Sequence, residues 1–293
     1  MSRLFLRTVW RWAGVGAVAV LPCTVRGAFY AAGVVDYVPG DGGTIGYPDP
    51  NSALGPPAPL TGVSFGFPSV LSPFSPAFDP GQIVQITGGG HLTLRLDHYA
   101  LPLADASKPE IGVVENVGLV DSTGFGGIGA TDSIPTIFGT DAANVEVSAD
   151  GVNFVGLDGS HNPTAVLFNM PAVYYLNAGP YDSASPASPV LADFGKPFAP
   201  AGGLSALADK ASYADVLAVF NGSGGGTWFD ISNTGLSKVG YVRFSMPVGS
   251  TDTLEVDSVS VGNEAVGAAV PEPSGAAVLM LGAAGFLARR RSR

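Results

Sequence analysis

The stretch HLTLRLD, His91 to Asp97, puts Leu92, Leu94 and Leu96 on one side of an extended chain and Thr93, Arg95 and Asp97 on the other. Side chains alternate along a strand, so this pattern predicts a strand with one face on a core. Working outward, NVEVSADGVNFVGL (Asn144 to Leu157) reads as a hairpin, with Val145 and Val147 inward, Asp150-Gly151 at the turn and Phe154 on the return. VGYVRFSM sets Val242, Phe244 and Met246 on one face. LEVDSVSV changes parity between Leu254/Val256 and Val259/Val261, which predicts a bulge near Asp257-Ser258.

Helical spacing occurs in GGLSALADKAS, through Leu204, Leu207 and Ala211, so one short helix is expected ahead of ADVLAVF. The 41 glycines and 24 prolines among 293 residues punctuate everything else into short strands and turns. The Pro-rich stretch from Pro48 to Pro80 is expected to form irregular covering structure, because Leu60, Val63, Phe65, Phe67 and Phe74 call for burial. The expected fold is all-β: a single antiparallel β-sandwich, jelly-roll-like, over residues 28–265, with one short helix.

The two ends read differently from this body. Arg3, Arg7 and Arg11 precede an apolar stretch from Trp12 to Leu21, with Val25 and Gly27 placed before a cut, which is the layout of a signal peptide over residues 1–27. The apolar stretch is about half of the roughly 20 residues that a spanning helix needs. Cys23 would leave with this leader, and with it any disulfide, thiol nucleophile or thiolate metal ligand. Between residues 28 and 270 there are 6 basic and 23 acidic residues, a net charge of −17. Such a body repels phosphate backbones and favours cations, which excludes nucleic acid as a partner.

At the other end, Gly275 to Ala288 is an uncharged, mostly apolar run followed by Arg289, Arg290, Arg291 and Arg293. The run is short for a permanent span, and the arginines favour the cytoplasmic side, so a transient inner-membrane anchor is expected. Pro271-Glu272-Pro273 immediately before it resists both helix and strand pairing, because both prolines lack an amide donor and restrict the residues before them. The segment 270–293 resembles the PEP-CTERM sorting signal of Gram-negative bacteria. That resemblance implies a partner, exosortase, a membrane-embedded cysteine transpeptidase that cuts the tail, and a host that makes extracellular polysaccharide. The sorting helix, the motif Pro271-Glu272-Pro273 and the cytoplasmic arginine cluster would then deliver the body to the cell surface or beyond.

ALGPP at Ala53, GGGHLTLRLDH at Gly88, EIGVVENVG at Glu110, VEVSADGVNF at Val145, FDIS at Phe229 and VGYVRFS at Val239 follow one another as in exported PEP-CTERM surface proteins. They are also similar to discoidin-like, galactose-binding jelly rolls. The chain departs from that pattern at Gly112-Val113-Val114, where the pattern carries an aspartate and an aromatic residue.

Local chemistry offers few motifs. His91 and His98 lie seven apart on one strand and therefore on opposite faces, a poor metal pair, and His161 stands elsewhere. GFGGIG, Gly124 to Gly129, matches G-x-G-x-x-G but leads into ATDSIPTIF rather than a helix, so it reads as a loop. NGSGGGTWF lacks the Lys-Ser/Thr of a phosphate loop, and no G-x-S-x-G elbow is present. Asp97, Glu115 and Asp230 are candidate oxygen donors to a structural calcium, although no D-x-D-x-D-G loop frames them. Trp228, beside Phe229, is a candidate glycan-stacking ring or a core residue. The expected function is that of an exported, non-catalytic surface or matrix protein, adhesive or associated with extracellular polysaccharide. The alternative is a polysaccharide hydrolase on the same scaffold, which needs two carboxylates roughly 5 to 9.5 Å apart on one cleft.

Overall fold

A computed structural model describes residues 28–42, 46–177 and 186–272. The expected leader and the tail beyond Glu272, including Pro273 and the four arginines, lie outside the described residues. Among the described residues no helix is long and apolar enough to cross a membrane.

The strands in chain order are β1 (Phe29–Val38), β2 (Leu60–Thr61), β3 (Ser69–Val70), β4 (Val84–Ile86) and β5 (His91–Ala100). Next come β6 (Ile111–Glu115), β7 (Gly118–Leu119), β8 (Ile137–Phe138), β9 (Asp141–Ser148) and β10 (Val155–Gly156). The last are β11 (Ala165–Phe168), β12 (Thr227–Phe229), β13 (Val239–Ser245), β14 (Leu254–Val261) and β15 (Val266–Ala269).

All long pairings are antiparallel, and one curled sheet folds on itself into two packed layers. The hinge is β1: Phe29 and Tyr30 pair with β14, whereas Ala31 to Val38 pair with β5. The first layer runs β9-β13-β5-β1, and β10 and β11 share the outer edge of β9. The second runs β1-β14-β6-β12, with β4 on the same edge of β14 as β1. Between the layers, Leu92, Leu94, Leu96, Val145, Val147, Val242 and Phe244 meet Ile111, Val113, Val256, Val259 and Val261 in one core. The result is an all-β, sandwich-like fold, as the alternation predicts.

The bulge in β14 falls where the parity change puts it, as a register shift between Val256 and Ser258 against β6. The hairpin turn after β9 is held by the Asp150 carboxylate, which accepts from the N–H groups of Val152 and Asn153 at 2.9 Å each. Two expectations are corrected. Residues Gly203–Leu207 form only a 3₁₀ turn, and the α-helix, α1, spans Tyr213–Phe220. Ser212 caps it, donating to Asp215 Oδ2 at 2.7 Å while accepting from the Asp215 N–H, and Tyr213, Val216, Leu217 and Phe220 form its buried stripe. The second correction concerns Val63, Phe65 and Phe67, which are 56%, 56% and 58% exposed instead of buried. Leu60 and Phe74 are half-buried.

Candidate functional site

Phe65 and Phe67 are exposed because the short β2–β3 ladder carries them away from the core on a turn of 3₁₀ helix, Val63–Phe65. That turn is clamped from behind: Asp79 accepts from the Val63 N–H at 2.8 Å and from the Ser64 N–H at 3.2 Å. Their rings and that of Phe78 form a cluster with centroids 5.7 to 6.1 Å apart and interplanar angles of 25° to 36°. Leaving a phenylalanine in water forgoes about 1.5–3 kcal/mol of burial. Two such rings held rigidly in solvent therefore mark a place where another molecule could cover them.

The facing wall comes from the GFGGIG loop and β8. Asp121 organises the loop, accepting from Thr123 N–H and Oγ1 at 2.9 and 2.7 Å, from Gly129 N–H at 2.8 Å and from Ala130 N–H at 3.3 Å. The loop is thus pinned at its base, with Phe125 fully exposed at its tip. Phe138 of β8 lies against Gly118, where no side chain could fit under the ring. Together Phe67, Phe74, Phe78, Phe125 and Phe138 line a cleft of about 540 Å³, with Asn116 as its main polar side chain. The hydroxyls of Ser69 and Ser75, also on its wall, bond to one another at 2.7 Å. Among the described residues no charged side chain lines it.

Carboxylates lie close behind this cleft. The Asn116 side chain donates to Glu255 Oε2 at 3.1 Å, and its backbone N–H donates to the Glu255 carbonyl at 3.2 Å. Glu115, alternating with Ile111 and Val113, turns inward between the layers and is 2% exposed. Among the described residues neither of its carboxylate oxygens has a hydrogen-bond partner of ordinary geometry, and the nearby Thr227 hydroxyl pulls only weakly against the effect of burial. Burial holds the Glu115 carboxyl well above the ordinary carboxylate range, and the charge of Asp141 adds to the shift. Burial also pushes Asp141 up to about 6, against the opposing Thr253 N–H, and raises Glu255 against its Asn116 partner. These acids do not open into the cleft, so the lining supplies rings, hydroxyls and an amide but no acid–base pair.

The residues singled out from sequence fall in several places. Trp228 lies over Gly112, where a Cβ would meet the ring at 2.6 Å, and its Nε1–H donates to the Gly225 carbonyl at 3.0 Å. It is half-buried on the outer face of β6, away from the phenylalanine cleft, and it accounts for the glycine in Gly112-Val113-Val114. Asp97, Glu115 and Asp230 stand on separate elements, and among the described residues no group of three His, Cys, Asp or Glu side chains is arranged to hold a metal ion. His91 contacts Asp36 at 2.8 Å, His98 packs against the Phe29 ring at 4.1 Å, and His161 Nδ1 meets the Phe154 carbonyl at 3.2 Å, so the three do not converge.

Pro271 and Glu272 follow directly on a paired segment. Ala100 pairs with both Val239 and Val266, so β15 takes the edge of β5 that β1 leaves when it crosses to the other layer. Val270 continues this pairing, its N–H donating to the Asp97 carbonyl at 2.8 Å, and Glu272 is then exposed, 3.7 Å from Arg95. The aromatic cleft was the feature that pattern reading missed. Its signal was a run of four phenylalanines, Phe65, Phe67, Phe74 and Phe78, in a segment too rich in proline and glycine to bury them in a sheet. No family model matches the chain, and no curated protein matches it significantly.

Proposed function

We propose that this protein is an exported, non-catalytic sandwich that binds a neutral polysaccharide through its phenylalanine cleft, after its C-terminal tail has served as a sorting signal. The observation that carries the binding reading is the rigid, uncharged aromatic cleft on a body of net charge −17. An anionic polymer or an anionic membrane would be repelled by that body, whereas the apolar faces of uncharged pyranose rings can stack on exposed phenylalanines. Ring walls with few polar groups are what a preformed ligand cleft requires.

Export rests on the Arg-led apolar leader, and sorting on the resemblance of Pro271-Glu272-Pro273, the apolar run and the arginines to the PEP-CTERM signal read by exosortase. The paired run through Val270 supports this second part, because it leaves Pro271 and Glu272 exposed at the surface of the body. Two experiments test the reading. Co-sedimentation of the purified protein with neutral and with uronate-rich polysaccharides should retain it on the neutral ones, and loss of that retention in Phe67→Ala is expected. Binding to neither polymer, or release of reducing sugar ends during incubation, would reject non-catalytic binding. For sorting, intact mass and fractionation with and without exosortase should show loss of the tail only when the enzyme is present.

A further inference from the structure

Glu115 ends β6, Asp141 begins β9 three residues after Phe138, and Glu255 of β14 holds Asn116 by side chain and backbone. The three acids therefore sit at the roots of two cleft walls, Asn116 and Phe138. Asp252, Tyr47 and Thr227 face them from the neighbouring loops and β12, and Gln85 of β4 is in register with Glu255; none of these can be a cation. None of the ion pairs among the described residues reaches the group. Glu115 is buried and Asp141 and Glu255 beside it are half-buried; a carboxyl buried without a counter-charge, with further acids next to it, is compatible with a closed structure only while it holds its proton.

We propose that Glu115, Asp141 and Glu255 form a proton-operated latch, closed when they are protonated, whose deprotonation loosens residues 115–119 and 137–141 at this end of the sandwich. Glu115 is the core of the latch, because both of its oxygens are sealed from water and lack partners. The upward displacement of all three carboxyls by burial agrees with this geometry. The latch stands without the polysaccharide reading; only its effect on the cleft, opening Asn116 and Phe138 apart as pH rises, rests on that reading.

Hydrogen exchange of the full protein at pH 5 and pH 8, corrected for intrinsic rates and read against β5 and β13 as internal reference, tests it without any ligand. Protection of 115–119 and 137–141 should fall at least tenfold at pH 8 while the reference strands hold theirs. Glu115→Gln, which keeps the shape but cannot ionise, should retain the pH 5 protection at pH 8. Asp141→Asn serves as a second variant should the first fail to fold, and should retain part of it. Equal protection at both pH values, or the same loss in a folded Gln or Asn variant, would overturn the latch. So would full recovery of protection at pH 8 on adding calcium chloride alone, which would make the cluster a cation site. If the latch behaves as expected but neutral polysaccharide does not bind at either pH, the latch stands and the binding reading falls.

Discussion

The guanidinium of Arg95 reaches across Gly33 of the adjoining strand and donates from Nη1 to the carbonyl of Val270 at 3.3 Å. Arg95 is 8% exposed, although its neighbours Leu94 and Leu96 claim the inner face of β5, so a charge is covered on the outer face by the end of the chain it holds. Gly33 makes this possible, since a Cβ there would already lie 3.4 Å from the guanidinium. The contact with Glu272 adds little, because that carboxylate is 85% exposed and screened by water.

Replacing Arg95 by Leu should therefore free the last strand rather than unfold the sandwich. A hydrogen bond from a charged donor contributes about 1.5–3 kcal/mol, so local opening of residues 266–270 should become at least tenfold more frequent. Faster exchange of the Val270 amide with unchanged exchange in β9 is the expected result. If sorting proceeds by cutting near Pro271, the same variant should be processed faster, and unchanged processing would show that the enzyme does not need this strand released.

Phe67→Ala and Phe125→Ala separate binding from stability. Both side chains already lie largely in solvent, so their removal should change unfolding free energy by no more than about 0.5 kcal/mol. Affinity for a neutral polysaccharide should fall by about tenfold or more in each, as for a stacking ring. Titration calorimetry with a soluble neutral oligosaccharide, alongside urea unfolding, reads the two effects independently. A variant that loses stability but binds normally would move the site elsewhere.

Gly112→Ala should be costly for a side chain so small. Its Cβ would meet Cε2 and Cζ2 of Trp228 at 2.6 Å, below any normal contact, and Ser260 Oγ at 2.9 Å. Strand β6 is paired on both edges, with β12 and β14, and cannot shift. Overpacking of this kind costs about 1–3 kcal/mol, measurable by urea unfolding, and a displaced Trp228 should also redshift its fluorescence.

What could be read from sequence follows from burial on one side. The strands with one face inward, at 92–96, 145–147 and 242–246, obey strict alternation, because a slip of one residue would turn the leucines, valines and phenylalanines out to water. Helix α1 escapes the pattern because Val216, Val219 and Phe220 favour strands as residues, and the buried spacing at Tyr213, Val216, Leu217 and Phe220 becomes decisive only once Ser212 is recognised as a cap. Phe65 and Phe67 defeated a burial rule that holds for cores but not for binding surfaces. Glu115 gave the least warning: within IGVVE it continues the inward parity of Ile111 and Val113, yet a glutamate at a strand end is ordinarily read as solvated.

Glu115 also yields the prediction with the clearest sign. A carboxyl whose pKa is raised on folding binds more protons folded than unfolded between the two values, so stability falls as pH rises through that window. For Asp141 the window runs from its ordinary value of 3.8 to about 6; for Glu115 it opens near 4.5 and extends further up. The melting temperature contributed by this end should therefore decline from pH 5 to pH 8, against the trend of a protein whose acids are paired. Glu115→Met fills similar volume without an ionisable group, so it gains about 1.4 kcal/mol over the wild type for each pH unit of that window. That gain should be largest at pH 8 and shrink towards pH 4.5, where the wild-type acid is neutral. Urea unfolding across this range checks it: a gain that is independent of pH would mean that Glu115 titrates alike in the folded and the unfolded chain, and a loss at pH 8 would mean that its charge is held by a partner.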